Sequence, residues 1–225
     1  MSVARDNVMA RVRKALGKRE RDEPGFAAAE AYLAARAQGP RPALAGDLVE
    51  RFMRRARDME STVERIVDRS EIPAQIARYL QAPQLSPASS PQKSNEGVCW
   101  PEFAALDWPG AGLKIEARPT TGSDRLGITG VFCAIAETGT MVIMSSADTP
   151  TATMLLPDTH VAVVAAGRIV AGMEDAFALI RRERGELPRA VNLISGPSRT
   201  GDIEQTIVLG AHGPYRVHIL VVSNC

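Results

Sequence analysis

The spacing of apolar residues changes period about halfway along the chain. Val8, Val12 and Leu16 repeat at i, i+4 and i+8, and Gly17 follows, which predicts a short helix that stops there. Leu48, Phe52, Ala56, Met59, Val63 and Ile66 recur at alternating spacings of four and three. That stripe predicts one long, Arg-rich helix over 47–69, with Asp47 as its N-cap. Ile72, Ile76 and Leu80 predict a third helix, with Ser70 as a candidate cap and Pro73 in the first turn. Residues 26–37 are Ala-rich, but Gly25, Gly39, Pro40 and Pro42 surround them. A loop with one or two helical turns is expected there.

From Trp100 onward the pattern is that of strands. Runs 113–117, 127–136 and 140–145 are apolar and β-rich, and Glu137-Thr138-Gly139 forms a tight turn between the last two. Runs 161–165 and 190–195 are nearly continuous apolar segments, as expected of strands covered on both faces. Residues 173–184 predict a helix with Ala176, Phe177 and Ile180 inward and Gly185 as its stop. Runs 207–209 and 217–222 close the chain as strands. Strands alternating with helices imply an α/β sheet covered by helices.

Composition narrows the function classes. The chain has 225 residues, 45% hydrophobic and 24% charged, with a net charge of +1. These values argue against global disorder and give no reason to expect nucleic acid or an anionic membrane as the main partner. Aromatic residues make up 4%, so the core is expected to be aliphatic and platforms for stacking bases or sugars are not expected. No apolar run reaches the ~20 residues that a membrane helix requires. The first residues become charged at once, without a signal-peptide core, so a cytoplasmic location is expected. Cys99, Cys133 and Cys225 are odd in number and widely spaced. They argue against a disulfide framework and against an iron–sulfur cluster in this chain.

Charge is distributed unevenly. Residues 1–80 hold 16 Lys/Arg and 12 Asp/Glu, whereas 98–225 hold 10 and 13 over a longer stretch. A helical region over 1–80 and an α/β core over 98–225 are expected. Residues 81–97, with three prolines and four serines, are expected to form a flexible linker or loop between them. The arginines of 47–69 are offset by acids on the same segment, which reads as a solvated helix face.

Three clusters can carry chemistry. Ser195-Gly196-Pro197-Ser198-Arg199-Thr200-Gly201-Asp202-Ile203-Glu204 follows an apolar strand, and ligands bind beyond strand ends in open α/β sheets. Glycines admit backbone N–H groups to an anion, and Ser198, Arg199 and Thr200 add donors, so this reads as an anion or carboxylate cradle or as a capped turn. It fits no nucleotide-binding loop pattern. Gly210-Ala211-His212-Gly213-Pro214 offers His212 as a general acid/base or as a turn residue bonded to backbone. Glu137, in Ala136-Glu137-Thr138-Gly139-Thr140, is a nucleophile, a base or a hydrogen-bonded turn residue. His160 and His218 read as packed or structural, and the three histidines lack metal-ligand spacing.

Together these stretches resemble the signature of the LUD domain of lactate-utilisation proteins. The resemblance rests on Ile128-Thr129-Gly130 with Ala134 to Thr140, on Gly196 to Glu204, and on Leu209 to Pro214. The length, the N-terminal helices and the missing cysteine cluster are similar to the LutC-like (YkgG-like) branch. The resemblance implies a layered α/β/α fold of the NagB/RpiA/CoA-transferase type with an N-terminal helical appendage. It implies a part in oxidising L-lactate to pyruvate beside iron–sulfur partner subunits, with no cofactor or metal in this chain. The ligand-binding residues would be Thr138, Gly139, Thr140, Gly196, Ser198, Arg199, Thr200, Asp202, Glu204 and Gly213. Their ligand would be a small carboxylate or other anion, with Glu137 and His212 as catalytic candidates. Related CoA-transferases carry the catalytic glutamate in a Glu-Asn-Gly-like turn, and this chain has Thr138 in place of the Asn. The alternative is a stand-alone enzyme, of the acyl-transfer or sugar-phosphate isomerase type, working through Glu137. A ligand-sensing regulator is a third class, but no DNA-binding helix-turn-helix signal supports it.

Overall fold

The computed structural model describes residues 3–17, 23–82, 94–203 and 206–224. Internal contacts divide the chain into two units, Met1–Ala43 and Leu44–Cys225. The first contains α1 (Val3–Ala15) and α2 (Glu23–Ala35), neither with a buried residue. α2 exceeds the one or two turns expected. Its alanines have the highest helix propensity, and Pro24 stands in the first turn, where a missing N–H costs nothing.

The second unit opens with α3 (Leu48–Asp58). Asp47 caps it as expected, accepting the Val49 and Glu50 N–H groups at 2.7 and 3.2 Å. The helix does not continue to 69. Glu60 adopts the left-handed conformation, φ 63°, and the chain enters β1 (Thr62–Asp68). The β-branched Thr62, Val63, Ile66 and Val67 favour a strand, and β1 pairs in parallel with the last strand of the chain along its length. Val63 and Ile66 point to opposite faces yet both are buried, because both faces of this sheet are covered. Asp68, not Ser70, caps the short turn that leads into α4 (Ile72–Gln81). Residues 44–80 thus belong to the α/β unit and not to a helical appendage over 1–80. Of the expected linker 81–97, residues 83–93 lie outside the described residues, and its end already forms strand.

The remaining elements are β2 (Glu96–Cys99), β3 (Lys114–Ala117), β4 (Leu126–Gly130), β5 (Cys133–Ile135), β6 (Thr140–Met144), α5 (Ala152–Leu155), β7 (Thr159–Ala165), β8 (Ile169–Val170), α6 (Met173–Arg184), β9 (Val191–Ile194), β10 (Arg199–Ile203), β11 (Thr206–Leu209) and β12 (Arg216–Asn224). The main sheet runs β1-β12-β7-β4-β2-β3, every pair parallel. A second sheet, β8-β5-β6-β9, is mixed. The expected strand 127–136 is therefore two strands in two sheets, broken at Val131–Phe132. β9 is an edge strand with Leu193 44% exposed, not the fully covered strand its apolar run suggested. Arg199–Ile203, which reads as a loop, pairs antiparallel with β11 in a separate ribbon.

Ala134, Ala136, Met141 and Ile143 of the second sheet join the main core. Cys133, Ile135, Val142 and Met144 face the other way and pack on Ala176, Leu179 and Ile180 of α6. On the main sheet α4 covers the face of His218, which stacks on Tyr79 at 4.1 Å between ring centroids. α5 covers the opposite face, where Gly127 and His160 lie level in register and a Cβ at Gly127 would collide with the Thr153 carbonyl. The result is a layered α/β architecture built on a parallel sheet.

His160 is fully buried and bonds Thr129 Oγ1 through Nε2 at 2.8 Å. Its Nδ1 has no hydrogen-bond partner among the described residues, and burial pushes its pKa down to about 3. Between that value and the ordinary ~6.5 the unfolded chain binds the proton and the folded chain does not. Stability is therefore complete above ~6.5 and falls as pH drops through this window, by up to about 1.4 kcal/mol per pH unit. Urea midpoints measured from pH 7 to pH 5 should fall in the wild type. They should fall less steeply in His160→Gln, and an unchanged slope in the variant would refute the assignment.

Candidate functional site

The chain reversal after α3 builds the first candidate site. Glu60 N–H donates to Arg57 O at 2.8 Å and Ser61 N–H to Ala56 O at 3.0 Å, closing the helix end. Two signature turns dock against this end. Gly139 (φ 70°) lies where a Cβ would strike the backbone of Arg55 and Ala56. Gly196 (φ 80°) lies where a Cβ would strike the Met59 carbonyl. Positive φ and close approach both require glycine at these positions.

Docking brings the predicted residues together. Arg55 Nε donates to the Glu137 carbonyl at 3.2 Å and fixes the turn backbone, while the Glu137 side chain remains half-buried. Thr138 Oγ1 and Thr140 Oγ1 lie 2.6 Å apart, and Thr140 Oγ1 lies 2.7 Å from Ser195 Oγ. This chain of hydroxyls links the 137–140 turn to the 195–198 turn. Arg199 forms an ion pair with Glu60. The third signature segment joins through Ser198, whose N–H donates to Pro214 O and whose carbonyl accepts the Gly210 N–H, both at 2.9 Å. The His212 backbone N–H donates to Ser198 Oγ at 3.3 Å, leaving its ring exposed. Gly213 packs close to Ser198 Cβ. Thr200 is buried. Glu204 and the side chain of Asp202 lie outside the described residues. The three signature segments thus form one polar face, next to the amino-terminal ends of β1 and β12.

A second feature opens at the opposite ends of the strands. A cavity of about 470 Å³ is lined by Trp100 after β2, Gly130 at the end of β4 with Val131 and Phe132 beyond it, and Val163 and Ala165 of β7. Arg69, Glu102, Phe103, Met144 to Ser146, Thr149, Arg184 and Glu186 to Pro188 complete it; Gly130 belongs to the signature, but none of the three signature turns lines the cavity. After β2 the chain moves outward to β3, and after β4 it moves the other way to β7. The cavity therefore sits at a topological switch point, where open α/β sheets bind ligands. Sequence reading missed these residues. Their one sequence signal was position just past a strand's end.

Burial pushes the Cys99 and Cys133 thiols up to about 11, so neither is a thiolate near neutrality. Among the described residues no group of three or more His, Cys, Asp or Glu is placed to hold a metal ion. Nor is any described helix long and apolar enough to cross a membrane.

A parallel sheet layered with helices, joined to a mixed second sheet, defines an α/β protein with its signature turns gathered at one end. Comparison with known proteins agrees: the family model for the LUD domain matches residues 49–222, and the chain belongs to that family. It is 32% identical to lactate utilization protein C of Bacillus subtilis (strain 168) over 162 residues, 67% of this chain and 66% of that protein. The same protein of Bacillus licheniformis is 33% identical over 129 residues, 52% of this chain and 54% of that one. The Shouchella clausii protein is 39% identical over 101 residues, 44% of each. The matches thus span about half to two thirds of these relatives' length at most. A solved structure of a DUF162 family protein from Deinococcus radiodurans superposes with a TM-score of 0.56 at 23% identity, covering 80% of this chain and 99% of that one. That likeness supports the fold.

If close packing on α3 holds the polar face, Gly196→Ala should cost about 1–3 kcal/mol, lowering Tm by roughly 2–4 °C per kcal/mol for a chain of this size. Gly201→Ala, where a Cβ meets open space, should stay within about 0.5 kcal/mol of wild type. Equal Tm values for the two variants would contradict the docking.

Proposed function

We propose that this chain is the LutC-like component of an L-lactate-oxidising system. It works beside iron–sulfur partner subunits that carry the electrons and binds a small carboxylate on its polar face. The observation that carries this reading is that the signature turns at 137–140 and 195–199 dock on the end of α3 and that the 210–214 segment joins them through Ser198. Arg199 is the anchor, because a guanidinium presents paired donors that match a carboxylate. Glu60 holds that guanidinium in the free chain and acts as an internal carboxylate that the ligand displaces. Ser198, Thr200 and the linked hydroxyls of Thr138, Thr140 and Ser195 supply further donors, and the glycines of the turns admit the ligand to the backbone. Substrate oxidation to pyruvate takes place with the partners, and this chain holds the acid in register for them.

An acyl-transfer reading is favoured by one feature, the Arg55 bond that fixes the Glu137 turn. It predicts turnover of a CoA thioester by the purified chain, abolished in Glu137→Gln.

Two measurements test the carboxylate reading. In calorimetric titrations with L-lactate or pyruvate, Glu60→Gln should tighten binding about tenfold, worth ~1.4 kcal/mol, and Arg199→Gln should abolish it. Unchanged affinity in both variants would remove Arg199 from the site. Deleting the gene should stop growth on L-lactate, and affinity capture of the tagged chain should return iron–sulfur proteins. Normal lactate growth with no captured partner would refute the assignment.

A further inference from the structure

The cavity at the carboxyl ends of the main strands is separate from the polar face, and its chemistry differs. The chain has ten aromatic residues outside histidine, and Trp100, Phe103 and Phe132 line this one cavity. Phe103 and Trp100 are buried behind the surface, and the half-buried Phe132 is the ring that a flat, unsaturated ligand would meet. At about 470 Å³ the cavity lies within the range of small-molecule sites, and a three-carbon acid would leave most of it empty.

Its charged groups are arranged in two sets. Arg69 donates to Glu102 Oε2 at 3.0 Å and lies over the Phe103 ring at 5.0 Å, so this pair is internally balanced. Gly130, lacking a Cβ, lets the Glu102 carboxylate settle onto the end of β4, where it can accept from a ring N–H. Arg168, held by Glu183 at 2.7 and 2.9 Å, lies over the Phe132 ring at 4.5 Å, and Arg184 lies 5.9 Å from the same centroid. Arg184 feels the nearby Glu183 charge, but no described carboxylate holds it in an ion pair. The neighbouring Glu186 is exposed and its backbone N–H bonds the Arg184 carbonyl. The lining hydroxyls are engaged within the protein, Ser145 with Ala190 and Ser146 with Thr149. The groups remaining for a ligand are thus the half-buried Phe132 ring, a carboxylate for ring donors and the guanidinium of Arg184 for an acidic group.

We propose that this cavity is a second ligand site for a mononucleotide-class anion, its heteroaromatic ring against Phe132 and Glu102 and its phosphate on Arg184. The site is independent of the carboxylate reading of the polar face.

Native mass spectrometry and calorimetric titration of the full chain with AMP, GMP, UMP and FMN test this directly, with adenosine and ribose 5-phosphate as controls. At least one of the four nucleotides should bind at least tenfold tighter than either control. Arg184→Gln should weaken that nucleotide at least tenfold and leave adenosine unchanged. Phe132→Leu should weaken the nucleotide and leave ribose 5-phosphate unchanged. Arg199→Gln, which disables the polar face, should leave nucleotide binding intact. Circular dichroism melts confirm that each variant folds, and if Phe132→Leu does not, the exposed Arg184 supplies the test. The proposal is overturned if no nucleotide binds at millimolar concentration, if ribose 5-phosphate binds as tightly, or if Arg184→Gln has no effect. Loss of nucleotide binding in Arg199→Gln would also overturn it, by moving the nucleotide to the polar face.

Discussion

The polar face depends on one backbone reversal. At Glu60 the chain turns left-handed, ends α3 and enters β1, and the side chain of that residue pairs with Arg199. A non-glycine residue in this conformation carries a local cost. The surrounding contacts offset it, because both signature glycines pack against the helix end that the reversal creates. Were α3 to continue to residue 69, β1 would be missing from the sheet and the turns at 139 and 196 would have nothing to dock on. Backbone closure, strand pairing and site assembly are therefore coupled through three residues, Met59 to Ser61.

The sheet separates two kinds of chemistry. Beside the amino-terminal ends of β1 and β12 are hydroxyls, an arginine held by an acid, and backbone that glycines expose. Beyond the carboxyl ends of β2, β4 and β7 are aromatic rings, an arginine that no described carboxylate holds in an ion pair, and a carboxylate. The β5–β6 hairpin bridges them. Its Glu137–Gly139 tip docks on α3, while Phe132 before β5 and Met144 at the end of β6 line the cavity. Both ends of the sheet thus share one short hairpin, packed between the main core and α6.

The sequence made some of this plain and hid the rest for physical reasons. α6 was legible throughout, since its apolar period, its following glycine and its charged outer face agree. The parallel sheet was legible from near-continuous apolar runs such as 161–165. The stripe from Leu48 to Ile66 misled because both faces of β1 are covered, so Val63 and Ile66 could both be apolar and mimic helical spacing. The run 127–136 gave no sign of its break, because both strands are buried on both faces. The signature turns were legible as motifs, but their shared dock on α3 was not, since contacts 55 to 137 and 60 to 199 are set by the fold. The cavity was the least legible feature. Trp100, Phe132 and Arg184 come from three distant segments, and a low aromatic total concealed their convergence.

Amide hydrogen exchange read by mass spectrometry, on the purified chain with and without saturating L-lactate or pyruvate, addresses the carboxylate site at the level of the backbone. Slowed exchange should concentrate in peptides covering 137–140, 195–199 and 210–214, with little change around Trp100 and Phe132. Protection confined to the strand ends around the cavity, or unchanged exchange everywhere, would contradict a carboxylate site on the polar face.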